Sequence, residues 1–207
     1  MKKILIQVLL VAVIVVLGFW LWNLFATPIK FEQERTTRET EVIQRLKDIR
    51  TAQRLYRSKY SHFAGNFDDL ISFIKNDSLT IELAIGSTDD SVAMAQGKVK
   101  RYIYQMAVKD TLLKGNNDID QIRYIPFSEV ATSVKQEFQM DTSSVKTESS
   151  VMVPVFEAFA PYTMFLTGLD PQELINYRDL RIYTLGKDDG LKVGSLTQAI
   201  NEAGNWE

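Results

Sequence analysis

Between Ile4 and Phe25 the chain runs for 22 residues without a formal charge, and only Gln7, Gly18 and Asn23 interrupt its apolar character. At about 1.5 Å per residue, a helix of this length reaches roughly 33 Å, close to the hydrocarbon thickness of a bilayer. Lys2 and Lys3 stand at one end of the run, and Trp20 and Trp22 lie near the other, where indoles favour the headgroup layer. That arrangement predicts a single span with its N-terminus inside and the rest of the chain outside. The rival reading is a cleaved signal peptide, for which Leu24-Phe25-Ala26 offers a small residue at a cut site. The run exceeds the 7 to 15 apolar residues of a typical signal core, and leucine suits the position three before a cut poorly, so retention is the expectation.

Charge changes sharply after the span. Residues 28–60 carry nine Lys/Arg against five Asp/Glu, whereas residues 61–207 carry thirteen against twenty-one. So acidic a remainder lacks the clustered basic face that phosphate neutralisation needs, and nucleic acid is not an expected partner. The chain contains no cysteine, which removes disulfides, thiolate metal sites and cysteine nucleophiles.

Pro28 suits a first helical turn, and no further Pro or Gly occurs from Phe31 to Tyr60. Val42, Leu46, Ile49, Ala52, Tyr56 and Tyr60 recur at steps of three and four, tracing one face of a long amphipathic helix that continues almost unbroken from the span. Glu34 with Arg38, and Glu41 with Arg45, are acid-before-base pairs expected to support its solvated face. The pattern stops at Ser61 to Asn66; Asn66 is placed to cap a second helix with Asp68 and Asp69 in its first turn, ending by Asp77.

Beyond this point the apolar period falls to two. Thr80 to Ile85, Arg101 to Val108, Ile122 to Phe127, Lys135 to Met140, Val151 to Phe159 and Leu191 to Val193 read as strands, with turns at Gly86 to Asp90, Gly115 to Asp118 and Asp141 to Ser144. Pro154 has no ladder donor and predicts an edge or a bulge. The expected fold is α+β: a transmembrane helix continuing into a long amphipathic helix packed on an antiparallel sheet. Its expected divisions are 1–27 as anchor, 28–60 as stalk and core helix, and 61–207 as the head.

Leu46-Lys47-Asp48-Ile49-Arg50-Thr51-Ala52-Gln53, leading to Tyr56, Tyr60, Phe63, Gly65 and Phe67 and then to Leu70 and Ile74, resembles the start of the globular region of type IV pilins and pseudopilins. That likeness implies a pilin-like head. Gly18-Phe19 is not followed by a glutamate five residues after the glycine, so the prepilin cleavage junction is missing. The segment Phe31 to Ile74, with Leu191-Lys192-Val193-Gly194-Ser195-Leu196-Thr197 and the closing Gly204-Asn205-Trp206-Glu207, is similar to a group of Bacteroidota membrane proteins encoded beside proton-driven Ton motor components. This second likeness implies an accessory subunit of an energy-transducing complex, with stator-type inner-membrane motor proteins as partners. It also implies the bacterial inner membrane, with a cytoplasmic N-terminus and a periplasmic head.

The residues offer little chemistry. His62 is the only histidine and sits beside Phe63 at a turn; no serine lies in a nucleophile elbow, and no glycine-rich phosphate loop occurs. Neither catalysis, a cofactor nor a small-molecule substrate is expected. Asp89-Asp90, Asn116-Asn117-Asp118 with Asp120, and Asp188-Asp189-Gly190 offer oxygen donors but lack the full spacing of a calcium loop, so they read as solvated turns. The strongest feature is the basic run Arg45, Lys47, Arg50, Arg54, Arg57 and Lys59, opposed by Asp48 alone. It is either a solvated face balancing the acidic head or a docking strip for an acidic partner. Within the span, Gln7 and Gly18 are candidates for packing against another helix, and Trp20 and Trp22 for interfacial anchoring. Trp206 is expected to plug the tail onto the head. The reading favoured by these residues and likenesses is a non-catalytic single-pass subunit of a membrane complex; the alternatives are a minor pseudopilin or a ligand- or wall-binding module.

Overall fold

The computed structural model describes residues 2–85, 100–109, 118–147 and 150–207. The expected turn at Gly86 to Asp90, and all but the last residue of that at Gly115 to Asp118, lie outside them. The chain is α+β, and its longest element is α1, Lys2–Tyr60, a helix of 59 residues that passes through Pro28 without ending. The missing amide of Pro28 leaves one carbonyl a turn earlier without its usual donor, a modest loss in so long a ladder. Two compact units emerge, each discontinuous in sequence, and α1 contributes to both.

The first unit comprises Met1–Ile43, Ile125–Gln136 and Ala160–Leu191. Its core gathers Phe31 and Val42 of α1 with Ile125, Ala160, Tyr162, Phe165, Leu166 and Leu191. The buried Ser128 hydroxyl donates to the Ile125 carbonyl at 2.7 Å and accepts from the Gln136 amide at 2.9 Å, closing the segment that holds the single-turn helix α3, Glu129–Thr132. After the one-turn helix α4, Tyr162–Phe165, comes α5, Pro171–Asp179. Asp170 starts α5 in the way its sequence favours, with its carboxylate accepting from the Gln172 and Glu173 amides and Pro171 in the first turn. The helix then widens into a π turn at Leu180–Thr184.

The second unit comprises Gln44–Tyr124, Glu137–Phe159 and Lys192–Glu207. Leu46, Ile49 and Ala52 of α1 are fully buried here, as the three- and four-residue spacing requires. Gln53 lies on the same face and is also buried; its amide donates to the Ala64 carbonyl and accepts from the Ala64 N–H, both at 2.9 Å, which pins the reversal after α1. Asn66 caps α2, Phe67–Asn76, through a bond from the Asp69 amide, and Phe67, Leu70, Ile71, Phe73 and Ile74 are its buried face. Strands β1, Ser78–Ile85, and β2, Lys100–Ala107, pair antiparallel with Ser78 opposite Ala107.

A second sheet has the order β3-β4-β5, with β3 Gln139–Lys146, β4 Met152–Pro161 and β5 Gly190–Gly194. The helix-on-sheet contact is direct: the Gln53 amide also reaches the Met140 sulfur of β3 at 3.2 Å, and Phe63, just past α1, packs on Phe156 of β4 with ring centroids 4.8 Å apart.

Three strand expectations change. Ile122 to Phe127 is not a strand: a 3₁₀ turn occupies Ile119–Arg123, and Tyr124 makes only an isolated bridge to Glu137. Ile122 and Ile125, three apart, are both buried, so the apparent alternation was a turn-like spacing. The strand expected from Lys135 to Met140 begins at Gln139 instead and runs through Asp141 to Ser144, which had read as a turn. β4 holds this polar segment in place residue by residue, with Thr142 opposite Phe156 and Ser144 opposite Pro154. Pro154 itself belongs to the middle strand of its sheet by order. Yet the Tyr162 amide bonds the Asp189 carbonyl, and Gly194 abuts the Phe156 carbonyl, so the five residues of β5 end before they reach Pro154. Locally the proline keeps an uncovered side, which is how a middle strand tolerates a residue with no amide donor.

Candidate functional site

The basic run on α1 is positioned by helical spacing, and three of its six members, Arg50, Arg54 and Arg57, meet the chain's own C-terminal segment. Val193 bridges to Gly204, and the Gly194 amide bonds the Ala203 carbonyl at 3.0 Å, so the tail folds back antiparallel beside β5. Glu202 is thereby brought under the helix, where it is 7% exposed. Its carboxylate accepts from Arg54 Nε at 3.0 Å and from Arg57 Nη1 at 2.6 Å, while Arg54 also reaches the Asn201 carbonyl at 3.1 Å. Arg50 donates to the Glu207 carboxylate at 2.7 Å, and this bond holds Glu207 below the usual carboxylate range. The Arg57 guanidinium lies 4.9 Å over the Phe63 ring. Lys59 pairs with Asp77 at 3.1 Å; Asp77 is also depressed, chiefly because the Tyr60 hydroxyl donates to it at 2.6 Å.

Arg45 and Lys47 have no ion pair among the described residues, and Lys47 is exposed. Asp48 accepts from Gln44 at 3.0 Å, and burial pushes its carboxyl up. Arg50, Arg54 and Arg57 of the strip thus form a clasp on the tail. Glu202 was missed because a lone glutamate near a terminus has no local pattern; its available signal was the pair of carboxylates, five apart, that closes an otherwise apolar and amide-rich tail.

Asn201 and Glu202 both adopt left-handed backbone, with φ of 55° and 54°. That conformation strains a residue bearing a side chain, so these two positions are held there by their surroundings. A cleft beside the clasp is lined by Arg57, Val153 to Phe156 and Ser195 with Gln198 to Glu202. Trp206 is half-buried against Gly204, whose missing side chain leaves room for the indole: a Cβ there would sit 2.4 Å from the ring.

In the first unit a separate polar network forms around Arg35. The guanidinium bonds Glu32, reaches Glu39 at 2.6 Å and the Tyr177 hydroxyl at 3.1 Å, and stacks 4.6 Å over the Tyr177 ring. Tyr177 donates to Glu39 at 2.8 Å. Burial disfavours the Arg35 charge, but the bond it donates to Glu32 and the field of Glu39 outweigh it and its pKa is raised; burial, with Tyr162 and Glu39 nearby, raises Tyr177 as well. A tyrosine so placed remains a neutral donor, and the network locks α5 to α1. Arg38 does not pair along the helix with Glu34: it donates to the Phe165 and Thr167 carbonyls at 2.9 and 3.0 Å, satisfying the end of α4.

Residues of the span and of the polar turns take simpler positions. Gln7, Trp20 and Trp22 are exposed, and nothing lies within 4 Å of a Cβ built on Gly18. His62 is exposed, donates from Nδ1 to the Phe63 carbonyl at 3.0 Å, and meets Tyr56 edge-on. Asp120 pairs with Lys75 at 2.7 Å, and Asp189 with Arg178 at 2.8 Å. Asp89-Asp90 and Asn116-Asn117 lie outside the described residues, and among those described no three His, Cys, Asp or Glu converge as metal ligands. No family model matches the chain, and neither the curated proteins nor the solved structures yield a match.

Proposed function

We propose that this protein is a non-catalytic, single-pass subunit of a protein complex in a bacterial inner membrane, with its head on the periplasmic side. The observation that carries the reading is α1 itself. One uninterrupted helix bears an apolar stretch that no other described residue covers and, further along, the buried faces of two packed units. An apolar helix left uncovered by its own fold calls for lipid or for other helices. Arg35, Arg50, Arg54, Arg57 and Lys59 of α1 are occupied in structural pairs, which suits a scaffold better than a reaction centre.

Within such a complex, the likeness to proteins encoded beside Ton components supports an accessory role in a proton-driven motor, with stator-type proteins as partners. No acidic residue lies between Ile4 and Phe25, so proton transfer would fall to those partners. Gly18 gives a neighbouring helix its closest approach, and Gln7 a bonding partner. Capture of the native protein in mild detergent, with mass spectrometry of its companions, tests the assignment: stator-type proteins should copurify, and their reproducible absence overturns the motor role.

The helix-on-sheet arrangement in the second unit also suits a minor pseudopilin. The mass of the mature N-terminus separates the two. An intact Met1 excludes prepilin processing, and a cut beside Gly18 favours the pseudopilin.

A further inference from the structure

We propose that the segment Ile175 to Leu185 is a second membrane contact, lying in the headgroup layer of the bilayer that α1 enters. The inference rests on the membrane-anchor reading and adds a lipid-binding surface to it. Four large apolar side chains within eleven residues, Ile175, Leu180, Tyr183 and Leu185, are exposed, and Tyr183 is 81% so. A monomeric surface seldom leaves such a cluster to water.

Position along α1 decides what covers it. Leu180, Asn176 and Tyr177 line one groove with Pro28, Ile29 and Phe31. Ile29 is four residues past Phe25, the end of the 22-residue apolar stretch, which places it about 6 Å further along the helix axis. The headgroup region is about 5 to 7 Å thick on each side of the hydrocarbon. If the run spans, Ile29 is in that layer, and Leu180, which opens the π turn, lines the groove beside it. Ile29 and Tyr183, both exposed, then face the same layer, and a ring with a polar tip suits that depth.

Charge agrees with the placement. From Ile175 to Lys187 the charged residues are Arg178, which is paired with Asp189, Asp179, Arg181 and Lys187, a net positive set, and Lys30 of α1 is exposed beside the groove at Thr27 to Glu34. Cations interleaved with leucine and tyrosine allow phosphate contact while the apolar groups dip below it. The Arg35 network fixes α5 against α1, so the segment is held at this depth by the fold.

Because the chain has no cysteine, single-cysteine variants of the full-length protein report depth cleanly. Tyr183→Cys and Leu185→Cys, with Leu17→Cys in the span and Thr40→Cys as an aqueous control, would carry an environment-sensitive fluorophore in phosphatidylethanolamine and phosphatidylglycerol vesicles. Quencher lipids would bear a nitroxide either near the headgroup or deep in the acyl chain. Labels at 183 and 185 should lose most of their fluorescence to the shallow quencher and little to the deep one, while the label at 17 responds to the deep one and that at 40 to neither. Quenching at 17 without quenching at 183 or 185 overturns this proposal and leaves the anchor standing. No quenching at 17 removes the anchor and this surface together.

Discussion

Replacing Glu202 tests whether the C-terminal clasp holds the second unit together, and the choice of replacement separates its two opposing contributions. Charge-assisted hydrogen bonds are worth about 1.5 to 3 kcal/mol when both groups are dry. Here the carboxylate is 7% exposed, but Arg54 and Arg57 are 45% and 37% exposed and rehydrate once it leaves. Screening reduces each bond to about 0.5 to 1 kcal/mol, so Glu202→Ala should cost about 2 kcal/mol once the lost contacts of its stem are included. Left-handed backbone at φ 54° works the other way, because glycine adopts it without the roughly 1 kcal/mol that a side chain costs. Glu202→Gly removes the same carboxylate, yet should cost about 1 kcal/mol less than Glu202→Ala. Thermal unfolding of the full chain in mild detergent reads both variants, and amide exchange over residues 192–207 reads the tail directly. A glycine variant as unstable as the alanine one refutes the strain reasoning; wild-type melting and unchanged exchange in both refute the clasp.

Three further perturbations act through single residues. Asn66→Ala removes the cap of α2 and should destabilise the protein by about 1 kcal/mol, read in the same melts. Glu207 titrates below its ordinary value because Arg50 bonds its charged form, so its contribution is present above about pH 4.3, the unfolded value, and is lost as pH falls through the lower folded value. Exchange protection of the last residues, taken relative to the intrinsic exchange rate at each pH, should therefore fall in that acid window in the wild type and stay constant in Glu207→Gln. Gly18→Leu meets no other described residue, so it should leave melting unchanged while reducing copurification of membrane partners.

The helices were legible in the sequence because their signals are local: the three- and four-residue steps from Val42 to Ala52, the cap at Asn66, and an uncharged run long enough for a bilayer. The sheet was less so. β3 contains Asp141, Thr142, Ser143 and Ser144, residues that favour turns in isolation, and it is a strand because β4, rich in Val, Phe and Ala, offers it a ladder. Ile122 to Phe127 has the opposite character, strand-like composition in a segment whose Arg123 is drawn to Asp68 and Glu137 and whose Pro126 cannot extend a ladder. The basic strip was visible, but its occupant was not, since Glu202 lies about 150 residues from the arginines it bridges.

That occupancy changes what docking on the strip would require. An acidic partner approaching Arg50, Arg54 and Arg57 meets Glu202 and Glu207 already in place, and only Arg45 and Lys47 of the strip stand without an ion pair among the described residues. Neutralising both glutamates as Glu202→Gln with Glu207→Gln keeps the shape of the tail and removes two repulsions. Charges about 4 Å apart interact by about 1 kcal/mol in water, so an acidic probe peptide should bind the double variant roughly tenfold more tightly at low salt. The gain should fade at physiological ionic strength, where charges are screened over about 8 Å. Equal binding at low salt would mean that the strip does not recruit acidic partners through these arginines, and that their place in the molecule is to hold its own tail.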